Sequence, residues 1–137
     1  MPQMDLVLIL ARDLADKLAS AAFLVDHDGT LLYFNERSAE ILGRTFAEMG
    51  EAKMDEWARA FTPTDLEGRP LSPEETPLVR AVLEREPEHQ TLRIRGADGE
   101  SHDIEVTAIP LFARLDDFVG ALAVFWKLAG SETKGQA

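Results

Sequence analysis

The chain has no cysteine. Disulfides, thiolate nucleophiles and cysteine-held metals are therefore excluded, and the composition fits a reducing compartment such as the cytoplasm. Positive charge is also scarce: 14 Lys and Arg stand against 25 Asp and Glu, a formal net charge of −11. A nucleic-acid surface needs a basic patch to neutralise phosphates, so no nucleic-acid partner is expected. No apolar run approaches the roughly 18 residues that would span a membrane, and no membrane partner is expected. The longest run near the start, Leu6 to Ala11, follows Asp5, where a secretion signal would carry positive charge. Enzymatic motifs are missing too. There is no Gly-x-Ser-x-Gly elbow, no phosphate-binding loop and no His-Glu-x-x-His, and no enzyme is expected. The three histidines, His27, His89 and His102, are not at ligand spacing, so no metal site is expected.

What remains is an ordinary globular composition, 45% hydrophobic and 28% charged over 137 residues. That is one domain with enough chain to bury a core. Residues 3–19 read as one helix, with Met4, Val7, Leu8, Ala11, Leu14, Ala15 and Leu18 on a single stripe. Leu6, Ile9 and Leu10 lie off that stripe. Two apolar faces suggest two partners, the domain's own sheet and a second copy of the chain. The simpler alternative is a first turn that lies across the domain.

Ala21 to Val25 and Leu31 to Phe34 read as strands around an Asp28-Gly29 turn. Asp26-x-Asp28-Gly29 lacks the later ligands of a calcium loop, so the turn reading is kept. Asn35 is placed as the N-cap of a helix that Gly43 closes. Thr45 caps a turn over Phe46 to Met49. Met54, Trp57, Ala58 and Phe61 share one face of a short helix. Thr62 to Pro73 holds three prolines and a glycine and reads as loop. Ser72-Pro73-Glu74-Glu75 starts a helix running to about Arg85, with Leu78, Val79, Val82 and Leu83 as its apolar face and Pro77 in its second turn. Three strands follow: Gln90 to Arg95, His102 to Leu111 and Phe118 to Leu128. The last is almost continuously apolar, the mark of a central strand.

The order of these signals resembles a PAS domain, the small sensory and interaction module of signalling proteins. Asp26, Asp28, Gly29, Leu31, Asn35, Ala39, Leu42 and Gly43 match the family's opening in place. A second Asp-Gly hairpin at Asp98-Gly99, the Ala108-Ile109-Pro110 run and Val119-Gly120-Ala121 match its second half, so the likeness covers residues 20–128. It implies an α+β fold, a five-stranded antiparallel sheet with short helices on one face and an N-terminal helix on the other. The domain reading is then residues 1–19 as the cap and dimerisation helix, 20–128 as the PAS core and 129–137 as a polar, disordered tail. In many relatives the last strand leads through Asp-Ile-Thr into a connector helix. Here Lys127, Leu128 and Ala129 stand at those places, so the chain is expected to act on a separate partner, such as a kinase or regulator, or to be part of something longer.

The resemblance also tests cofactors. A flavin photoadduct needs a cysteine. The flavin-holding amide positions correspond to Ile94, Ile104 and Leu122. The usual haem histidine is missing from residues 73–85. No cofactor is therefore expected. The resemblance leaves an apolar interior, with Ile94, Ile104, Val106, Ala108, Leu122 and Val124 from the sheet facing Ile41, Leu42, Trp57, Phe61, Leu78 and Val82 from the helices. It is either a pocket for a small apolar ligand such as a fatty acid, or a filled core. Tyr33, Arg93 and Trp126 are candidate polar anchors at its mouth. The expected function is a cytoplasmic sensory module acting through a homodimer, with Leu6, Ile9 and Leu10 at the interface. The alternative is a ligand-free dimerisation or docking module that recruits a separate output protein.

Overall fold

The computed structural model describes residues 6–128. The helix residues expected at 3–5 and the tail expected at 129–137 lie outside the described residues. Chain order is α1 (Leu6–Lys17), β1 (Ala21–Asp26), β2 (Leu31–Phe34), α2 (Glu36–Leu42), α3 (Phe46–Met49), α4 (Met54–Ala60), a 3-10 turn (Pro73–Glu75), α5 (Pro77–Glu84), β3 (Glu88–Arg95), β4 (Ser101–Phe112) and β5 (Phe118–Lys127). The strands form one sheet in the order β2-β1-β5-β4-β3, with every neighbour antiparallel. The nearly unbroken apolar strand β5 is the central one, because both of its faces are covered.

One face carries Phe23, Phe34, Ile94, Ile104, Val106, Ala121, Ala123 and Phe125 against α2, α4 and α5. The other carries Ala22, Leu24, Val119 and Leu122 against Leu8, Ala11 and Ala15 of α1. The architecture is the α+β one expected, with short helices on one side and α1 alone on the other.

Local chemistry explains the elements. At the first hairpin Asp26 Oδ1 accepts from the Asp28 and Thr30 amides at 2.9 and 3.0 Å, and Gly29 takes φ +83°, which an L side chain resists. Asn35 caps α2 by accepting from the Ser38 amide at 3.0 Å, and Gly43 ends it at φ +79°. Thr45 and Glu48 form a reciprocal capping box at α3.

Three sequence expectations are corrected. The helix expected over 73–85 is two pieces. Thr76 is extended at φ −101°, ψ 150° and becomes the N-cap of α5, with Pro77 at its first position. A residue before proline is pushed out of the helical region by the ring's Cδ, so the 3-10 turn stops there. Leu83, placed on the apolar face of that helix, is 57% exposed, while Ala81 is fully buried. Leu14, placed on the inner stripe of α1, is 53% exposed. The buried residues of α1 are the narrower row Leu8, Ala11 and Ala15, with Val7 partly buried beside them, because one helix on a flat sheet buries a stripe, not half a cylinder.

Candidate functional site

A cavity of about 100 Å³ lies between the inner sheet face and α4, α5 and the loop joining them. Seven of the expected residues line it: Leu42, Trp57, Phe61, Leu78, Ile94, Ile104 and Val106. Strand parity places the three from β3 and β4. Ile94 is two residues from Leu92 on β3, and Ile104 and Val106 alternate with outward Asp103 and Glu105 on β4. The helical positions come from the end of α2, one face of α4 and the start of α5. The wall is completed by residues the sequence reading did not include, among them Phe23, Ala58, Pro63, Thr76, Leu92, Ala123 and Phe125.

Five expected residues are elsewhere. Ile41, Val82 and Ala108 are buried core side chains outside the cavity wall. Leu122 and Val124 face α1 on the opposite side of the sheet. The inward residues of β5 are Ala121, Ala123 and Phe125. A strand with apolar residues on both faces carries no alternation from which parity can be read.

The wall has little polar chemistry left over. Trp57 Nε1 donates to the Gly29 carbonyl at 2.7 Å. Thr76 Oγ1 donates to the Pro73 carbonyl at 2.7 Å. Phe23 packs edge-on against Trp57, with ring centroids 5.2 Å apart, and stacks on Phe34 at 5.7 Å. Near the end of the inner face, His102 holds a buried Nε2 that makes no hydrogen bond. Burial, and then the nearby Lys127, hold its pKa below the usual histidine value.

The three expected mouth anchors sit on the outer sheet face instead. Tyr33 donates to Asp16 of α1 at 2.6 Å, with the Arg12 guanidinium 4.8 Å above its ring. Arg93 donates to Asp103 at 2.7 Å. Trp126 donates to Glu105 at 3.0 Å, and the same carboxylate contacts His89 Nε2 at 3.1 Å. Each partner lies on another element, which is why sequence spacing did not place these side chains.

Asn35 joins the two faces. Its Nδ2 donates to the Ala15 carbonyl of α1 at 2.8 Å and to the Ser20 carbonyl at 2.9 Å. Its Oδ1 accepts from the Ala22 amide of β1 and the Ser38 amide of α2, both at 3.0 Å. Ser38 Oγ returns to the Ala22 carbonyl at 2.8 Å. One buried side chain therefore ties α1, β1 and α2 together, and all of its donors and acceptors are engaged.

The expected interface residues Leu6, Ile9 and Leu10 are all exposed on α1. Leu6, Leu10 and Leu14 follow one another at four-residue spacing and make one apolar flank. Ile9 lies on the other flank, beside a groove shared with Arg12, Asp13, Asp16 and Tyr33.

The model of the PAS fold matches residues 15–132 of this sequence. The chain belongs to the PAS family. No curated protein matches the sequence. Among solved structures, a PAS domain from Colwellia psychrerythraea superposes with a TM-score of 0.61 at 17% identity, covering 89% of this chain and 97% of that one. The PAS domain of BvgS from Bordetella pertussis gives 0.61 at 15% identity, covering 94% and 93%. The LOV domain of the blue-light activated histidine kinase EL346 from Erythrobacter litoralis gives 0.62 at 16% identity, covering 82% and 98%. At such identities the likeness is one of fold. The chain is thus a PAS domain, a sensory and signal-transduction module, and such domains are as a rule not enzymes. Among the described residues no helix is long and apolar enough to cross a membrane.

Proposed function

We propose that this PAS domain senses a compact apolar ligand held in the inner-face cavity and signals by repacking α1 within a homodimer. The observation that carries the reading is the cavity itself. It lies among residues from β1, β3, β4, β5, α4 and α5, so a molecule inside it touches every inner layer. A volume of about 100 Å³ favours a small molecule over the extended fatty chain that the sequence suggested. Flavin does not fit: the inward positions Ile94, Ile104, Ala121 and Ala123 offer its polar ring edge no partner, and each unmet group costs on the order of 1–3 kcal/mol.

A contiguous route supports the coupling. Phe23 lines the cavity and stacks on Phe34. The next residue is Asn35, which holds the α1 carbonyl of Ala15. Movement of the Phe23 ring is thereby passed to the C-terminal turn of α1. The exposed Leu6, Leu10 and Leu14 flank suits a second copy of the chain, and a separate cytoplasmic kinase or regulator reads the resulting dimer.

Xenon titration followed by methyl NMR tests the site without presuming ligand chemistry. Saturable shifts at Leu78, Ile94, Ile104 and Val106 are expected. Unchanged methyl signals under xenon would remove the ligand site and leave a ligand-free docking module.

A further inference from the structure

Four aromatic rings, those of Phe23, Trp57, Phe61 and Phe125, contribute to one cavity wall. Such a wall presents ring faces and edges, which an aromatic guest matches by edge-to-face and offset contacts. The cavity's volume, about 100 Å³, is of the order of the roughly 150 Å³ apolar cavity that accepts benzene in another protein. A single six-membered ring is the size class, with a small outward adjustment of the wall.

Hydrogen-bonding capacity narrows the class further. Among the lining residues only Trp57 and Thr76 carry a side-chain donor. Both protons are committed, to the Gly29 and Pro73 carbonyls. A guest hydroxyl would meet no free donor, and the one side-chain acceptor left in the wall is Thr76 Oγ1, whose own proton is held by the Pro73 carbonyl. Water faces the same difficulty, since a buried water needs two to four polar partners. Charge is worse still, because nothing in the wall can compensate it.

We infer that the cavity selects an uncharged single-ring arene without hydrogen-bonding groups, and discriminates against its hydroxylated analogue. The inference rests on the ligand-site reading above and adds the ligand's chemistry to it. Trp57 and Phe61 set the shape, and the discrimination comes from an otherwise apolar wall whose two side-chain donors are already committed.

The test compares toluene with phenol on the purified chain, using the same methyl signals. Toluene should shift Leu78, Ile94, Ile104 and Val106 saturably, and phenol should bind at least about tenfold more weakly. Ala58→Leu, which grows a side chain into the cavity, should abolish the toluene shifts. If that variant is overpacked and does not fold, Ala123→Val fills the same space from the sheet. Phenol binding as tightly as toluene would overturn the inference. So would toluene shifts that persist in a folded, filled variant. Xenon binding without toluene binding would also overturn it while leaving the ligand site standing, and failure of both gases and arenes would remove both.

Discussion

Tyr33 is the chain's single tyrosine, so its titration can be read without interference. Burial in the first place, and the hydrogen bond to Asp16 after it, push its pKa up from 10.0 to about 12. The neutral phenol is thus favoured in the folded state. Its contribution to stability is complete below pH 10 and is lost as the pH climbs from 10.0 through about 12. Phenolate absorbance should show a midpoint near 12 in the folded protein, lower in Asp16→Asn. A wild-type midpoint at 10 would mean that Tyr33 does not hold α1. Asn35 acts at the same scale with larger consequences. Asn35→Ala removes a buried cap and strands partners on three elements, so it should cost about 3 kcal/mol in denaturant unfolding. Thr45→Ala, at an exposed capping box, should cost about 1 kcal/mol. Equal losses would contradict the linking role given to Asn35.

Elements differ in how plainly the sequence announced them. Strand β4 was legible because Asp103, Glu105 and Thr107 alternate with Ile104, Val106 and Ala108. Strand β5 was legible as a central strand but not in its facing. Its apolar run hides which residues look inward, and Leu122 and Val124 were assigned to the wrong side for that reason. The break at Thr76 had a signal in the Thr76-Pro77 pair, since proline restricts the residue before it. The outward pairings of Tyr33, Arg93 and Trp126 had no such signal, because their partners depend on helix placement and strand register. Gly120 shows the tightness of the α1 contact. A Cβ there would clash with the Val25 carbonyl and stand 2.9 Å from Leu8, so β5 admits no side chain at position 120. On α1 itself the proposed dimer contact is the exposed flank Leu6, Leu10 and Leu14. Leu10→Glu with Leu14→Glu should yield a folded monomer by light scattering, because exposed positions tolerate charge while an apolar interface does not. A dimer that survives both substitutions would place the interface elsewhere.

For the whole molecule, the proposed function makes the sheet a partition between a ligand side and a signalling side. The inner face holds a cavity walled by apolar side chains from sheet and helices. The outer face holds α1, fixed by Leu8, Ala11 and Ala15 and by the Asn35 and Tyr33 hydrogen bonds. The two faces share β1, where Phe23 and Ala22 point to opposite sides. Under the proposed function this division converts occupancy of the core of a 137-residue chain into a change at a surface helix. Such coupling requires a ligand with different affinity for two packings of α1. Hydrogen–deuterium exchange with and without saturating xenon measures that coupling directly. The account predicts altered protection of the α1 amides when the cavity is filled, together with the inner strands. Protection changes confined to α4, α5 and the inner strands, with α1 unmoved, would contradict it.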